Sequence, residues 1–209
     1  MITIGIVGPS CSGKSTIANL VAEQLDAPCL SLDLQPIKGV PHVFVNGIRT
    51  FERPQFYNGE KLAGIVQQLR DLRNGNDNAE SIAALAKFTE YSYADRSWHE
   101  RSEAASDYLV LEGFLLFQYP RLERLCDFKF YIDVPWDEMV RRRIARGRGD
   151  KSDASFFKIG QAETEQYVLP QKNLPGVIVL DGCSLPKMLV GRILTALDHK
   201  TAYNENNSK

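Results

Sequence analysis

One strand-to-helix turn near the N-terminus constrains this chain more than any other feature. Gly8-Pro9-Ser10-Cys11-Ser12-Gly13-Lys14-Ser15-Thr16 fits the pattern G-x-x-x-x-G-K-[ST], between an apolar run, Ile2–Val7, and a helical pattern, Thr16–Leu25. Glycines at 8 and 13 allow backbone angles and close approaches that a side chain would block, so the N–H groups of Ser10, Cys11, Ser12, Gly13 and Thr16 can turn inward on phosphate oxygens at a helix N-terminus. Lys14 adds a mobile positive charge for the β- and γ-phosphates, expected to face solvent without ligand, and the Ser15 hydroxyl is placed to bind Mg²⁺. A Gly/Ser-rich turn matching by accident is disfavoured, because strand, helix and every fixed position are present.

The rest of the pattern extends this into one α/β domain spanning the 209 residues. Strand-like runs recur at Ile2–Val7, Pro28–Leu32, Tyr108–Leu111, Phe128–Val134 and Val177–Leu180, with helical periodicity between them at Thr16–Leu25, Gly59–Arg73, Trp136–Arg146, about 155–167 and Leu185–Leu197. This predicts a five-stranded parallel sheet with helices on both faces and sites beyond the C-terminal strand ends. Asn46-Gly47 between His42–Val45 and Ile48–Phe51 predicts a hairpin insertion over about 41–52, either a cover for the site or a decorative or dimerising element. The tail from Asn204 to Lys209 reads as disordered.

Composition excludes several classes. The 25 basic and 26 acidic residues leave no surplus charge to draw nucleic acid or an anionic membrane, and no apolar run approaches bilayer length. Met1 leads straight into a strand pattern without a signal peptide, so a cytoplasmic protein is expected; no oligomer is indicated, though one stays open. Cys11, Cys29, Cys126 and Cys183 lack metal-ligand or disulfide-framework spacing, and His42 and His99 lack ligand partners.

Three further features suit phosphoryl transfer. Asp33 ends the second strand, where a carboxylate can accept the proton of an attacking hydroxyl or hold a Mg²⁺-bound water. Glu112 ends the third strand, followed by Gly113, and is poised near metal or substrate. Arg141, Arg142, Arg143, Arg146 and Arg148, broken by Gly147 and Gly149, read as a phosphate-binding lid over about 146–155. Phe56, Tyr57, Tyr91, Tyr93 and Trp98 offer aromatic faces for a base, or ordinary packing.

Taken in order, these pieces resemble the phosphoribulokinase/uridine kinase family of P-loop kinases, particularly the uridine and nicotinamide riboside kinases. The resemblance rests on GPSCSGKST, the strand ending LSLD at Asp33, RPQFYN before a helix, EGFLLF, the PWDE helix start, RRR-x-x-R, and VLDGCS around Asp181. It implies Asp33 as general base, Glu112 as strand-end acid, Arg142, Arg143 and Arg146 as lid arginines, and Tyr57 against the substrate. Asn58 stands where the riboside kinases carry a diol-gripping Asp, and either contacts substrate or caps the next helix. The expected activity is transfer of the γ-phosphoryl of ATP, with Mg²⁺, to the 5′-hydroxyl of a ribonucleoside such as uridine, cytidine or nicotinamide riboside. Alternatives are another small metabolite (a vitamin precursor, sugar or sugar phosphate) or a nucleotide-dependent switch or assembly ATPase, which the absence of N-K-x-D and of a D-x-x-G after the third strand disfavours.

Overall fold

The computed structural model describes residues 1–41, 43–45, 48–50, 52–75, 85–146 and 154–207. Its centre is a parallel sheet of β1 (Ile2–Val7), β2 (Cys29–Ser31), β7 (Tyr108–Glu112), β8 (Phe128–Asp133) and β9 (Val177–Asp181), in the order β2-β7-β1-β8-β9. The near-continuous apolar runs of the inner strands β1, β7 and β8 follow from burial on both faces, while Ile178 and Val179 of the edge strand β9 are exposed. Leu109, Leu111 and Tyr131 pack with α2 (Gly59–Asn74) and α3 (Pro120–Leu125) on one side. Ile4, Ile6, Val110 and Phe130 pack with α1 (Lys14–Gln24) and α6 (Pro186–Asn207) on the other. Gly5 is required at the centre, since a Cβ there would sit 2.7 Å from both Cys126 Sγ and a Phe117 ring carbon. All four cysteines are free, and burial pushes the thiols of Cys29 and Cys126 up to about 12.

Two short pairs flank the sheet. β3 (Phe44–Val45) and β4 (Ile48–Arg49) pair antiparallel where the hairpin insertion is predicted, while Asn46-Gly47, His42 and Phe51 lie outside the described residues. β5 (Leu85–Ser92) and β6 (Ser97–Ala104) form a longer antiparallel hairpin that sequence reading did not anticipate. Its turn carries no Gly or Pro; Arg96 takes a φ of 57° and Asp95 accepts the Ser97 N–H instead.

After α4 (Trp136–Ala145) come α5 (Ala154–Glu163), a π-helical turn at Thr164–Val168 and a 3₁₀ turn at Leu169–Asn173. The expected single helix over about 155–167 is therefore divided at Glu163, and Pro170, which lacks the N–H of a continuing helix, falls in the 3₁₀ turn that follows. α6 runs to Asn207, into the tail from Asn204 that the sequence reading expects to be disordered; residues 208–209 lie outside the described residues. Among the described residues no helix is long and apolar enough to cross a membrane.

Candidate active site

The turn after β1 has the shape of an anion cradle. A Cβ on Gly8 would lie 2.7 Å from both the Ile132 carbonyl oxygen and Ser12 Oγ, so only glycine lets the backbone pass. Cys11 and Gly13 take left-handed φ values of 68° and 93°, curling the loop into the first turn of α1. That helix has no side-chain N-cap bond and no acid in its first turn, leaving its positive end open to an anion. Ser12 is buried and bonds the Lys14 N–H at 3.4 Å, Ser10 approaches Cys11 Sγ at 3.9 Å, and Ser15 and Thr16 are exposed.

Parallel pairing brings two carboxylates to this loop. β7 lies between β1 and β2, with Glu112 in register with Ile6 and Ser31, and Ser15 Oγ donates to Glu112 Oε2 at 3.0 Å. Asp33 occupies the 3₁₀ turn Leu32–Leu34 directly after β2, its Oδ2 3.7 Å from Lys14 Nζ. Gly113 makes this approach possible, because a Cβ there would come within 2.8 Å of Leu32 Cβ and 3.3 Å of Asp33 Oδ1. Lys14 is not solvent-facing, contrary to expectation: its side chain is 8% exposed, held by Asp33 and by the Phe114 ring 5.6 Å away. Burial raises the Asp33 carboxyl to about 7; Lys14 opposes the shift, and the nearby charges of Glu112 and Glu52 add to it.

The donors here suit a hard cation. Among the described residues no three His, Cys, Asp or Glu side chains cluster as a ready-made chelate. The Ser15 hydroxyl beside the Glu112 carboxylate, with Asp33 across the loop, fits Mg²⁺, which keeps waters and phosphate oxygens and takes few protein ligands.

The arginines divide. Arg142 is a strut: its guanidinium donates to Glu138 Oε1 at 2.6 Å, to the Ser12 carbonyl at 3.3 Å and to the Gly182 carbonyl at 2.9 Å, tying α4 to the loop and to the end of β9. Arg143 approaches Glu52 Oε1 at 4.0 Å, and Arg146 ends α4 exposed. Arg148, Gly147 and Gly149, with residues 147–153 of the lid expected over about 146–155, lie outside the described residues.

On the acceptor side, Tyr57 is buried edge-on against Phe114, ring centroids 5.2 Å apart. Asn58 caps α2, its Oδ1 accepting from Lys61 N at 2.9 Å, so its acceptor oxygen is engaged by the helix rather than open to a ligand. The unforeseen β5–β6 hairpin supplies a wall: the Tyr93 hydroxyl donates to the Asp33 carbonyl at 3.1 Å, and Tyr91 contacts both Tyr93 and Trp98. Lys38 and Lys61 sit over the Trp98 ring. Glu52 was missed as well. Its carboxylate accepts from Thr164 Oγ1 at 2.6 Å; burial raises its pKa, against the pull of Thr164, Arg143 and Lys14. Tyr131, in β8, adds a buried hydroxyl with no hydrogen-bond partner among the described residues, its ionisation opposed by burial and by the Asp133 and Glu52 charges. An acid following an aromatic and preceding Arg-Pro was the only sequence cue to Glu52.

No family model matches the chain. The uridine kinase of Clostridium novyi (strain NT) is 29% identical over 191 residues, covering 87% of this chain and 88% of that protein. Among solved structures, a possible uridine kinase from Bacillus stearothermophilus aligns with a TM-score of 0.51 at 19% identity, covering 85% of this chain and 88% of the other. A gluconokinase from Sinorhizobium meliloti 1021 aligns with a TM-score of 0.53 at 17% identity, covering 100% and 98%. The cradle, the sheet order and these relationships agree: the chain has the P-loop kinase fold and is a phosphotransferase homologous to the uridine kinases over most of its length.

Proposed function

We propose that the protein transfers the γ-phosphoryl group of ATP to the primary hydroxyl of a ribonucleoside, with Mg²⁺. The observation that carries this reading is the Asp33 carboxylate 3.7 Å from Lys14 Nζ, at the lip of the loop and beneath the aromatic hairpin wall. A carboxyl raised to about 7 is matched to accepting a hydroxyl proton near neutral pH. In this scheme the loop amides and Lys14 hold the phosphates, Ser15 and Glu112 hold the cation directly or through water, and Arg142 keeps the loop in shape while Arg143 and Arg146 face the transferring group. When bound, Mg²⁺ neutralises phosphate charge and orients the γ-phosphoryl group. Asp33 aligns the acceptor and takes its proton; catalysis is mostly positioning and electrostatics.

The charged contact to the acceptor passes from Asn58 to Glu52. Asn58 Oδ1 is engaged in the α2 cap, whereas Glu52 is a buried carboxylate whose field reaches both Asp33 and Lys14. A carboxylate so placed accepts hydrogen bonds from vicinal hydroxyls with charge assistance. The test is a coupled ADP-release screen of uridine, cytidine, nicotinamide riboside, their 2′-deoxy counterparts, pantothenate and sugars. ATP- and Mg²⁺-dependent turnover of a ribonucleoside, with a penalty of about tenfold or more for the 2′-deoxy compound, is expected. Turnover of a sugar or vitamin precursor alone refutes the ribonucleoside assignment.

A further inference from the structure

At the far side of Glu52, two consecutive residues grip two consecutive residues. Glu163, the last residue of α5, accepts from the Glu52 N–H at 3.3 Å through Oε2 and from Arg53 Nε through Oε1. Thr164, the first residue of the π-helical turn, donates its hydroxyl to Glu52 Oε2. Glu163 and Thr164 are 5% and 3% exposed, although acid and hydroxyl side chains seldom settle in such places unless partnered. Helix irregularities of this kind occur where a side chain has to be re-aimed. Here the register change falls at the residue whose hydroxyl meets Glu52.

We propose that Glu163 and Thr164 are positioning residues for the acceptor, fixing the Glu52 carboxylate by backbone and by side chain so that the segment leading from β4 to α2 is held to the end of α5. This rests on the reading of Glu52 as an acceptor contact. The clamp is selective in form. Thr164 occupies one carboxylate oxygen, Oε2, and Arg143 stands at 4.0 Å from the other, Oε1. Glu163 fixes the Glu52 main chain and, through Arg53, the neighbouring side chain, so rotation of the Glu52 carboxylate breaks the Thr164 bond and displacement of its backbone breaks the Glu163 bond. The charged and titratable groups around Glu52 come from every packed element: Lys14 from α1, Asp33 from the turn after β2, Tyr131 from β8, Arg143 from α4 and Glu163 from α5, with Arg53 adjoining Glu163. Loss of the Thr164 hydroxyl removes one of the influences that hold the Glu52 pKa down, so the acid limb of acceptor binding moves to higher pH.

The test compares Thr164→Val, Thr164→Ser and Glu52→Gln in steady-state kinetics with uridine as acceptor probe, across pH 5–9. Thr164→Val is expected to raise KM for uridine about tenfold, as for loss of a hydrogen bond to a charged group, with KM for ATP within about twofold of wild type. Thr164→Ser should restore it, and Glu52→Gln should raise the same constant. An unchanged uridine KM in Thr164→Val beside a raised one in Glu52→Gln overturns the positioning role and leaves the acceptor reading standing. An unchanged uridine KM in Glu52→Gln refutes the acceptor reading itself. A measurement on the free protein needs no acceptor: Thr164→Val and Glu52→Gln should shift the melting temperature non-additively, and additive shifts overturn the clamp.

Discussion

Replacing Asp33 by Asn separates stability from catalysis in one substitution. The folded protein raises this carboxyl from 3.8 to about 7, chiefly through burial, which means that the ionised form is less favourable in the native state than in the unfolded chain. A raised folded pKa makes the native state the greater proton binder between those two values. The contribution of this one group to stability is therefore greatest below about pH 4, falls as pH rises, and levels off above about 7. A shift of about 3 units corresponds to an upper bound of roughly 4 kcal/mol; with the side chain 28% exposed and coupled to Lys14, about 1–2 kcal/mol is the expected size. Asn mimics the neutral acid, so above pH 7 the variant should melt about 2–8 °C higher than wild type, and the gap should close as pH falls to 4. The same change should lower kcat by about a hundredfold or more with little change in KM for ATP, because a base acts in the transition state. Thermal melts of the nucleotide-free protein at pH 4, 6 and 8, together with coupled ADP-release kinetics, provide both readings. Equal melting temperatures at pH 8, or a variant with near wild-type kcat, would refute the reasoning.

Lys14→Ala should abolish turnover and also destabilise the protein above pH 7, because the ion pair at 3.7 Å is what tempers the buried Asp33; melts showing no pH-dependent loss would contradict this. Asn58→Ala should cost about 1 kcal/mol as a lost helix cap, read by denaturation, while leaving acceptor KM unchanged; a large KM effect would return Asn58 to the acceptor pocket. Arg142→Ala, which frees the Ser12 and Gly182 carbonyls, should weaken ATP binding by about tenfold or more in titration calorimetry, and unaltered affinity would show that the loop holds its shape without the strut.

The legible parts of this protein were those written in local periodicity. The inner strands β1, β7 and β8 appear as short apolar runs because they are largely buried on both faces, and the sheet order then brings Asp33 and Glu112 to the loop, as strand-end acids suggest. The less legible parts depend on tertiary pairing. The β5–β6 hairpin alternates Ala86 and Phe88 with Lys87 and Thr89, but its partner strand is mostly polar and its turn has no glycine, so neither half announces the other. Glu52 is an ordinary acid until Thr164, 112 residues away, meets it. Asn58 is ambiguous in sequence because an N-cap and a ligand contact call for the same residue type; the structure shows the cap, through its bond from Lys61 N.

Without nucleotide, the groups that would serve phosphoryl transfer are engaged with one another: Lys14 with Asp33, Ser15 with Glu112, Arg142 with the Ser12 carbonyl, and Glu52 with Thr164. These contacts reduce the cost of collecting like charges, since burial, Glu112 and Glu52 raise the free energy of ionising Asp33, and Lys14, helped by a backbone hydrogen bond from Phe114, opposes them. Phosphate binding that draws Lys14 toward the β- and γ-oxygens removes that opposition and raises the proton affinity of Asp33 further, at the moment an acceptor hydroxyl must be deprotonated. A cation held at Ser15 and Glu112 acts in the reverse sense by offsetting the neighbouring acid. The basicity of Asp33 is thus set by the balance between two occupants of one loop, and the pH optimum should move to lower pH as Mg²⁺ is raised at fixed ATP. A pH optimum indifferent to Mg²⁺ concentration from sub-saturating to saturating levels would show that a cation at this loop does not act on Asp33 and that the coupling is absent.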